Sequence, residues 1–373
     1  MKDLGLYLHI PFCASKCAYC DFYSLSSSEL QNDYIDALCK SIEIVAESHA
    51  DARFTTLYIG GGTPSILEER LLEKLLEVLC TRIRITMDAE FTLEANPATL
   101  SSKKLSLMQN AGVNRLSIGC QSIHENELKR ISRIHSFEDF CESFYLARNA
   151  GFQNISVDLM YGLPEQTTGS LLSSIDKISS LSPEHISLYG LKIEPETRFG
   201  QDRSLILPSE DSQCEMYIRA CDMLRDKGYN RYEISNFAKS NKVSRHNLRY
   251  WECKEYIGIG AAAHSYINGV RYAYERSAQN YIEALKQGDL PTPCESNVIT
   301  EYEKLEEFII LSLRLEKGLD LELLSSRFGS HKANLLMRCA SRYIPKFMTL
   351  KDDRLSFTTE GFLVSNSILS ELI

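Results

Sequence analysis

Three cysteines within eight residues, Cys13, Cys17 and Cys20, limit what this chain can become more than any other feature. They follow directly on an apolar, strand-like lead, so the fold must hand a short loop off the end of a strand and turn three thiols toward one centre. A spacing of three residues and then two permits that, and an iron-sulfur cluster makes that demand of its protein. In a 4Fe-4S cube, three cysteine ligands leave one iron free to bind a small molecule, which is a reason for the set to stop at three. A structural zinc site would want a fourth Cys or His at a short, paired spacing, and His9 and Cys39, the nearest candidates, do not form such a pair. A disulfide framework fits worse. Twelve cysteines in 373 residues are far below the density of small secreted scaffolds, and no signal-peptide pattern opens the chain.

Leu4, Leu6, Leu8 and Ile10 alternate with Gly5, Tyr7 and His9, the period of a strand that ends as the cysteine loop begins. Tyr34, Leu38, Ile42 and Val45 then recur at helical spacing within residues 28–49, with serines before them as caps. The alternation repeats: a strand over 56–59 and a helix over 68–83, a strand over 91–94 and a helix over 102–110, a strand over 115–118 and a helix over 136–150. Two further strands are expected over 155–159 and 186–189. Six strands alternating with helices predict a parallel, wound α/β sheet, either an open doubly wound sheet or a barrel. Both place their sites at the C-terminal ends of the strands, and there the unusual residues lie. Gly60-Gly61-Gly62-Thr63-Pro64-Ser65 follows the second strand, Glu94 ends the third, Gln121 follows the fourth, Arg133 lies twelve residues later and Asp158 ends the fifth. A glycine run lets backbone groups approach a ligand closely. Alone it is equally a tight turn, and each polar residue alone is equally a cap; together they converge on a site.

The segments Tyr7-Leu8-His9-Ile10-Pro11-Phe12-Cys13 and Cys17-Ala18-Tyr19-Cys20-Asp21-Phe22 resemble the radical S-adenosylmethionine (SAM) proteins. Within them they resemble the group of oxygen-independent coproporphyrinogen III oxidase and the HemW-type heme chaperones, over most of the chain. The resemblance implies a partial (β/α)6 barrel and a 4Fe-4S cluster on Cys13, Cys17 and Cys20. It implies that the free iron chelates the amino and carboxylate groups of SAM, and that one electron from the cluster splits SAM to a 5'-deoxyadenosyl radical; an electron donor such as a flavodoxin or ferredoxin is implied with it. The Gly61, Gly62, Thr63 segment is implied to contact the SAM amino group, and Tyr7, Tyr19, Glu94, Gln121, Arg133 and Asp158 to contact bound SAM as well.

A helix over 210–227 leads to a seventh strand and loop at 229–237, then to His246-Asn247-Leu248-Arg249-Tyr250-Trp251, which holds the only tryptophan. This segment fits the HNxxYW heme-associated motif of the HemW group. The resemblance implies heme binding here, with His246 the candidate iron ligand and Tyr250 or Trp251 packing on the porphyrin face. On the residues alone, His246 is equally a polar loop residue and Trp251 an anchor for the loop. Residues 257–263 are nearly all small or apolar and are expected to pack beneath the cofactor site, with His264 a candidate pocket residue. After 291–297 the character changes. Helices over 301–316, 320–328 and 333–343, a hairpin over 348–357 turning at Asp352-Asp353, and a closing helix over 359–372 predict a small, winged-helix-like α+β domain. The family also has one, and it is expected to cover the barrel mouth. The chain then divides into a radical SAM core with its post-barrel heme-motif segment (1–290) and a HemN-like C-terminal domain (298–373).

A formal net charge of -9 without a cluster of Lys and Arg argues against a nucleic-acid-binding face. No run approaches the roughly 18 apolar residues of a membrane span, so a cytoplasmic protein is expected, with peripheral membrane contact left open. The nine other cysteines are scattered through apolar settings and read as reduced core residues. Two functions compete: oxidative decarboxylation of two propionates of coproporphyrinogen III, and binding of heme for delivery to acceptor apoproteins. The oxidase carries a further cysteine where this chain has Phe22, and a longer lead before its cysteine loop, which here starts at residue 13. A heme chaperone without coproporphyrinogen III oxidase activity is therefore expected.

Overall fold

The alternating stretches become six parallel strands in a computed structural model that describes residues 1–373. They are β1 (Lys2–Ile10), β2 (Ala52–Gly61), β3 (Ile85–Ala95), β4 (Arg115–Gln121), β5 (Ile155–Tyr161) and β6 (His185–Gly190). Each is bonded in parallel to the next, so spatial order follows chain order. A doubly wound sheet reverses its order at a switch point, and this one does not. Right-handed crossovers that always step in one direction put every helix on one face and curl the sheet into an open, six-unit barrel. The helices between the strands are α1 (Gln31–Ser48), α2 (Glu69–Arg82), α3 (Ser102–Asn110), α4 (Glu125–Arg130), α5 (Phe137–Asn149) and α6 (Thr168–Ser180).

The outward face of the strands is apolar. Leu6, Leu8, Leu57, Ile59, Leu93, Leu116, Ile118, Val157 and Leu188 are wholly buried and share one core with the helices. α2 contributes Leu71, Leu72, Leu75, Leu76 and Leu79, one stripe at helical spacing, each worth roughly 1.5–3 kcal/mol on burial. The inward face is different. Thr56 pairs with Glu90, Tyr58 with Thr92, Thr92 with Arg115, Glu94 with Ser117, Ser156 with His185 and Asp158 with Ser187. Barrel interiors are usually filled by branched aliphatic side chains. A polar one is costly unless its groups bond each other or a ligand, so the register itself points to where the site is.

Both edges of the barrel are extended. After α7 (Arg198–Gln201) and α8 (Glu210–Asp226), strands β7 (Asn230–Glu233) and β8 (Asn236–Ala238) form a hairpin bonded antiparallel to β6, where a single seventh strand was expected. A short helix, α9 (Arg245–Trp251), follows. β9 (Tyr256–Ile259) then adds in parallel to β1, and β10 (His264–Ile267), β11 (Val270–Ala273) and β12 (Glu295–Val298) continue antiparallel to complete a twelve-stranded sheet. Of residues 257–263, the first three extend the sheet beyond β1 within β9, and the rest turn into β10 packed against His9 and Tyr34. The small side chains of the segment have a steric cause: a Cβ on Gly258 would sit 2.2 Å from the carbonyl oxygen of His264. Between β11 and β12, α10 (Ala278–Gln287) docks on α1 through Tyr281, whose hydroxyl lies 2.7 Å from Ser41 Oγ.

The remaining residues form α11 (Glu301–Leu313), β13 (Leu319–Asp320), α12 (Leu321–Phe328), α13 (Ser330–Ala340), β14 (Met348–Lys351), β15 (Arg354–Phe357), α14 (Thr359–Leu363) and α15 (Ser365–Leu372). Their three strands make a separate antiparallel sheet in the order β13-β15-β14. Its hairpin turns at Asp352 and Asp353, both at positive φ, as a two-residue turn between twisted strands requires. This winged-helix-like α+β unit is held to the β7 hairpin by Arg231, which donates to Glu316 (2.7 Å) and lies 4.5 Å over the Phe362 ring. The backbone bonds Ile234 N to Arg314 O and Glu316 N to Tyr232 O tie the same hairpin. These ties run to the β7 edge rather than to the cysteine loop. No helix of the protein is long and apolar enough to cross a membrane.

Candidate functional site

The cysteine loop leaves β1 at its C-terminal end and returns on itself. Cys13 N donates to Leu25 O (2.9 Å) and Leu25 N to Pro11 O (2.6 Å), so residues 13–25 close as one loop at the barrel mouth. Its middle is seated by Ala18, which bonds through its backbone to Ile131 and Phe199 and packs with Leu128, Ile131, Met160, Leu163 and Phe199 in a small apolar cluster of its own. Cys13, Cys17 and Cys20 are free thiols of intermediate exposure. Burial pushes the Cys13 and Cys20 thiols up, the direction of cysteines held in an apolar wall and opposite to that of an activated nucleophile. No group of three or more His, Cys, Asp or Glu side chains converges on a point that one metal ion would occupy. The three thiols line one cleft, and their number and spacing are those of a multi-iron cluster loop.

Beside the loop a cleft of about 340 Å³ runs into the barrel. It is lined by Cys13, Cys17, Tyr19, Cys20, Gly61, Gly62, Thr63, Glu94, Gln121, Arg133 and Asp158, eleven of the residues singled out from the sequence. Glu94 accepts from Tyr58 Oη (2.7 Å) and from the backbone N of Gly61 (3.0 Å); burial pushes its carboxyl up to about 7, against the pull of both bonds and of Arg115. Burial also raises Asp158, which takes the Ser117 hydroxyl at 3.3 Å. Gly61 has φ +115 and a Cβ there would meet the His9 ring at 2.6 Å, while a Cβ on Gly62 would lie 2.7 Å from Phe12 O and 3.0 Å from Cys13 Sγ. The glycines thus let β2 close against the cysteine loop.

A chain of hydrogen bonds crosses the mouth: Arg133 Nη1 donates to Asn96 Oδ1 (2.9 Å), Asn96 Nδ2 to Thr63 Oγ1 (2.7 Å), and Thr63 Oγ1 to Cys13 Sγ (3.6 Å). Gln121 is buried at φ +62, a conformation that strains a residue with a side chain. Its Oε1, Arg133 Nε, Arg115 Nε and Thr92 Oγ1 are buried without a partner. Such atoms cost about 1–3 kcal/mol each unless something meets them. Carboxylates at Glu94 and Asp158, guanidinium groups at Arg115 and Arg133, and unmet donors and acceptors between them fit a zwitterionic ligand such as SAM, next to three thiols that fit a cluster.

Asn96, Arg115, Ser117 and Asn247 also line this cleft and were not anticipated. Arg115 and Ser117 were readable in principle from the inward register of β4; Asn247 stood in the HNxxYW motif, which was read toward heme and not toward this cleft.

Five expected contacts fall elsewhere. Tyr7 does not line the cleft; its hydroxyl lies 3.0 Å from His9 Nδ1, whose Nε2 lies 2.9 Å from Tyr23 O. His246 is 1% exposed, with Nδ1 2.9 Å from Thr56 Oγ1 and Nε2 2.8 Å from Tyr250 Oη, and burial pushes its imidazole down to about 3. With both ring nitrogens bonded it is not presented to a ligand. The reason is the placement of α9, which plugs the N-terminal end of the barrel. Glu90, on the inward face of β3, accepts from the backbone N of Arg245 (2.9 Å) and His246 (2.8 Å), and Arg249 donates to Asp3 O (2.9 Å) and Glu255 O (2.8 Å). Trp251 lines neither this cleft nor the next. Tyr250 and His264 line a second cleft, of about 790 Å³, between the β9–β11 extension and the tail of the cysteine loop; Phe22 borders both. No residue beyond 298 lines either cleft, so the C-terminal unit does not form the cover expected of it.

A cysteine triplet at the mouth of an open six-unit barrel, above a cleft with both signs of charge, is the arrangement of the radical SAM class. The Radical SAM superfamily model matches residues 7–178, and the HemN C-terminal domain model matches residues 299–364. Heme chaperone HemW of Bacillus subtilis (strain 168) is 36% identical over 374 residues, covering 98% of each chain. Heme chaperone HemW of Lactococcus lactis subsp. lactis (strain IL1403) is 35% identical over 378 residues, covering 100% of this chain and 98% of the other. The chain belongs to the HemW family of radical SAM proteins. A solved structure of coproporphyrinogen III oxidase (HemN) from Escherichia coli matches with a TM-score of 0.86 over 100% of this chain and 90% of that one, at 22% identity, which establishes a shared fold.

Proposed function

We propose that this protein is a heme chaperone: it holds a 4Fe-4S cluster on Cys13, Cys17 and Cys20, binds SAM in the first cleft, binds heme, and delivers heme to acceptor proteins. The observation that carries the reading is end-to-end similarity to proteins named heme chaperone HemW, at 36% identity across 98% of each chain, with the cysteine loop and its cleft intact. In this reading Glu94 and the Gly61 backbone take the SAM amino group, Arg133 and Gln121 meet its polar parts, and Asp158 and Tyr19 complete the wall. Bound together, cluster and SAM supply one-electron chemistry; the chain's residues position the ligand and exclude water from it.

We propose a core over 1–290, to which β12 at 295–298 adds the last strand of the sheet, and a C-terminal domain over 298–373; the separate three-stranded sheet after β12 supports the division. We further propose a cytoplasmic location, reduction by a donor such as a flavodoxin or ferredoxin, and contact with membranes limited to their periphery. The test is an anaerobic assay with reconstituted protein, SAM, a reductant and coproporphyrinogen III, beside a heme titration. Saturable heme binding without protoporphyrinogen formation above the no-enzyme control is expected. Decarboxylation well above that control would replace the chaperone reading with that of an oxidase.

A further inference from the structure

Two buried arginines lie toward the N-terminal end of the barrel, and the fold treats them differently. Arg249, on α9, has its guanidinium satisfied: it donates to Thr55 Oγ1 (2.9 Å), Asp3 O (2.9 Å) and Glu255 O (2.8 Å). Arg115 is 2% exposed, its Nε is buried without a partner, and neither a hydrogen bond nor an ion pair reaches its guanidinium. The acids that act on it do so only through space, because they are engaged elsewhere. Glu90 accepts the backbone N–H groups of Arg245 and His246, and Asp158 takes the Ser117 hydroxyl at 3.3 Å. An unpaired guanidinium in so dry a place is costly. Arg115 lines the first cleft, so the group that meets it enters through that cleft.

That group is not SAM. Arg115 and Gln121 are the first and last of the 7 residues of β4, and a strand of this length rises roughly 20 Å. Gln121 stands at the mouth beside the cysteine loop, whereas Arg115 begins the strand, toward the end that α9 closes. SAM held at the mouth keeps its carboxylate at the cluster, far up the barrel from Arg115. α9 brings a second free donor to the same cleft: Asn247 has only its backbone N bonded, to Ser244 Oγ (3.3 Å), and its side-chain amide is open. A guanidinium fork with an amide suits a planar carboxylate. The carboxylates of Glu90, Glu94 and Asp158 act against a dianion such as phosphate. The whole cleft is about 340 Å³, at the small end of ligand sites, so beneath SAM it has room for a short-chain acid and none for a macrocycle.

We propose that the deep part of the first cleft is a second binding subsite, which takes the carboxylate of a short-chain organic acid on Arg115 and Asn247, beneath SAM. With α9 closing the floor, the rest of such an acid extends upward, toward SAM. The proposal rests on the reading above only for the placement of SAM. The experiment is an anaerobic isothermal titration of the cluster-reconstituted full chain with butyrate, with and without saturating SAM, beside phosphate at matched ionic strength. Wild type is expected to bind butyrate saturably at one site in both conditions. Arg115→Lys keeps the charge and loses the fork, and Asn247→Asp sets a carboxylate against a carboxylate; each is expected to weaken butyrate by about tenfold or more. Thermal melts identify the folded variants. Asn247→Asp changes a half-buried side chain that makes no bond, so it decides the matter where the arginine variant does not fold. No saturable butyrate binding by wild type, or unchanged affinity in a folded variant, would overturn the proposal. Butyrate displaced by SAM would put Arg115 in the SAM site, and phosphate bound as tightly as butyrate would remove the carboxylate assignment; either result overturns it too. A wild type that binds butyrate but no SAM would leave this subsite standing and sink the placement of SAM above it.

Discussion

Thr63 shows how one hydroxyl serves two sites. Its oxygen accepts a hydrogen bond from Asn96, which is itself fixed by Arg133, and its O–H donates to Cys13 Sγ. Hydrogen bonds to cluster sulfurs set reduction potentials, and a donor favours the reduced, more negative state. Thr63→Val removes that donor at nearly constant volume. The expected outcome is an intact cluster with a more negative midpoint potential in an anaerobic titration followed by electron paramagnetic resonance, and an unchanged potential would show that the contact is structural only. Glu94 gives a second prediction at this scale. Its carboxyl is held at about 7 by burial, with Asp158, Arg115 and Tyr58 as charged or titratable neighbours. It must be ionised to hold an ammonium group, so a group raised in this way binds better above its pKa. SAM affinity should fall as pH drops through about 7, by up to about tenfold per unit, and Glu94→Gln should flatten that dependence in isothermal titration. Glu94 was legible in the sequence because it ends a strand. Asn96, two residues on, was not: its role lies in bonds to Thr63 and Arg133, thirty-three and thirty-seven residues away, and no local pattern encodes those.

Among the elements, α9 departs most from what its sequence suggests. Seven residues are too few to show a helical period, so only the HNxxYW pattern spoke, and it spoke of a ligand. In the fold, Ser244 caps the helix, Glu90 takes its first backbone N–H groups, and His246 points into the barrel. Truncating His246 would leave Thr56 and Tyr250 without partners in a buried space. His246→Ala should therefore lower stability by roughly 2–4 kcal/mol in urea unfolding while folded protein still binds heme; loss of heme binding at unchanged stability would return the motif to the ligand. A similar limit hid α6. Its buried stripe is Leu171, Ser174, Ile175 and Ile178, and a serine in that row weakens the apolar period. The six barrel strands were readable because their outward residues alternate strictly, whereas β9 to β12 are four residues each and carry too little pattern to separate from loops.

At the scale of the whole molecule, the barrel divides the work between its ends and its edges. The C-terminal ends of the strands hold the cysteine loop and the charged cleft, the N-terminal end is closed by α9, and the β9–β11 extension adds an aromatic cleft that shares Phe22 with the first. The winged-helix-like unit is bonded to both edges, to the β7 hairpin through Arg231 and Glu316 and to β11 through Arg271 and Glu307, and lines neither cleft. The direct measurement is a handover: the protein is loaded with one equivalent of heme, separated from free heme, and mixed with a heme-free b-type cytochrome. Transfer faster than from heme bound to albumin, with the acceptor's own spectrum appearing as that of the loaded protein disappears, is the predicted result. Retention of heme by this protein, or transfer no faster than the albumin control, would contradict it.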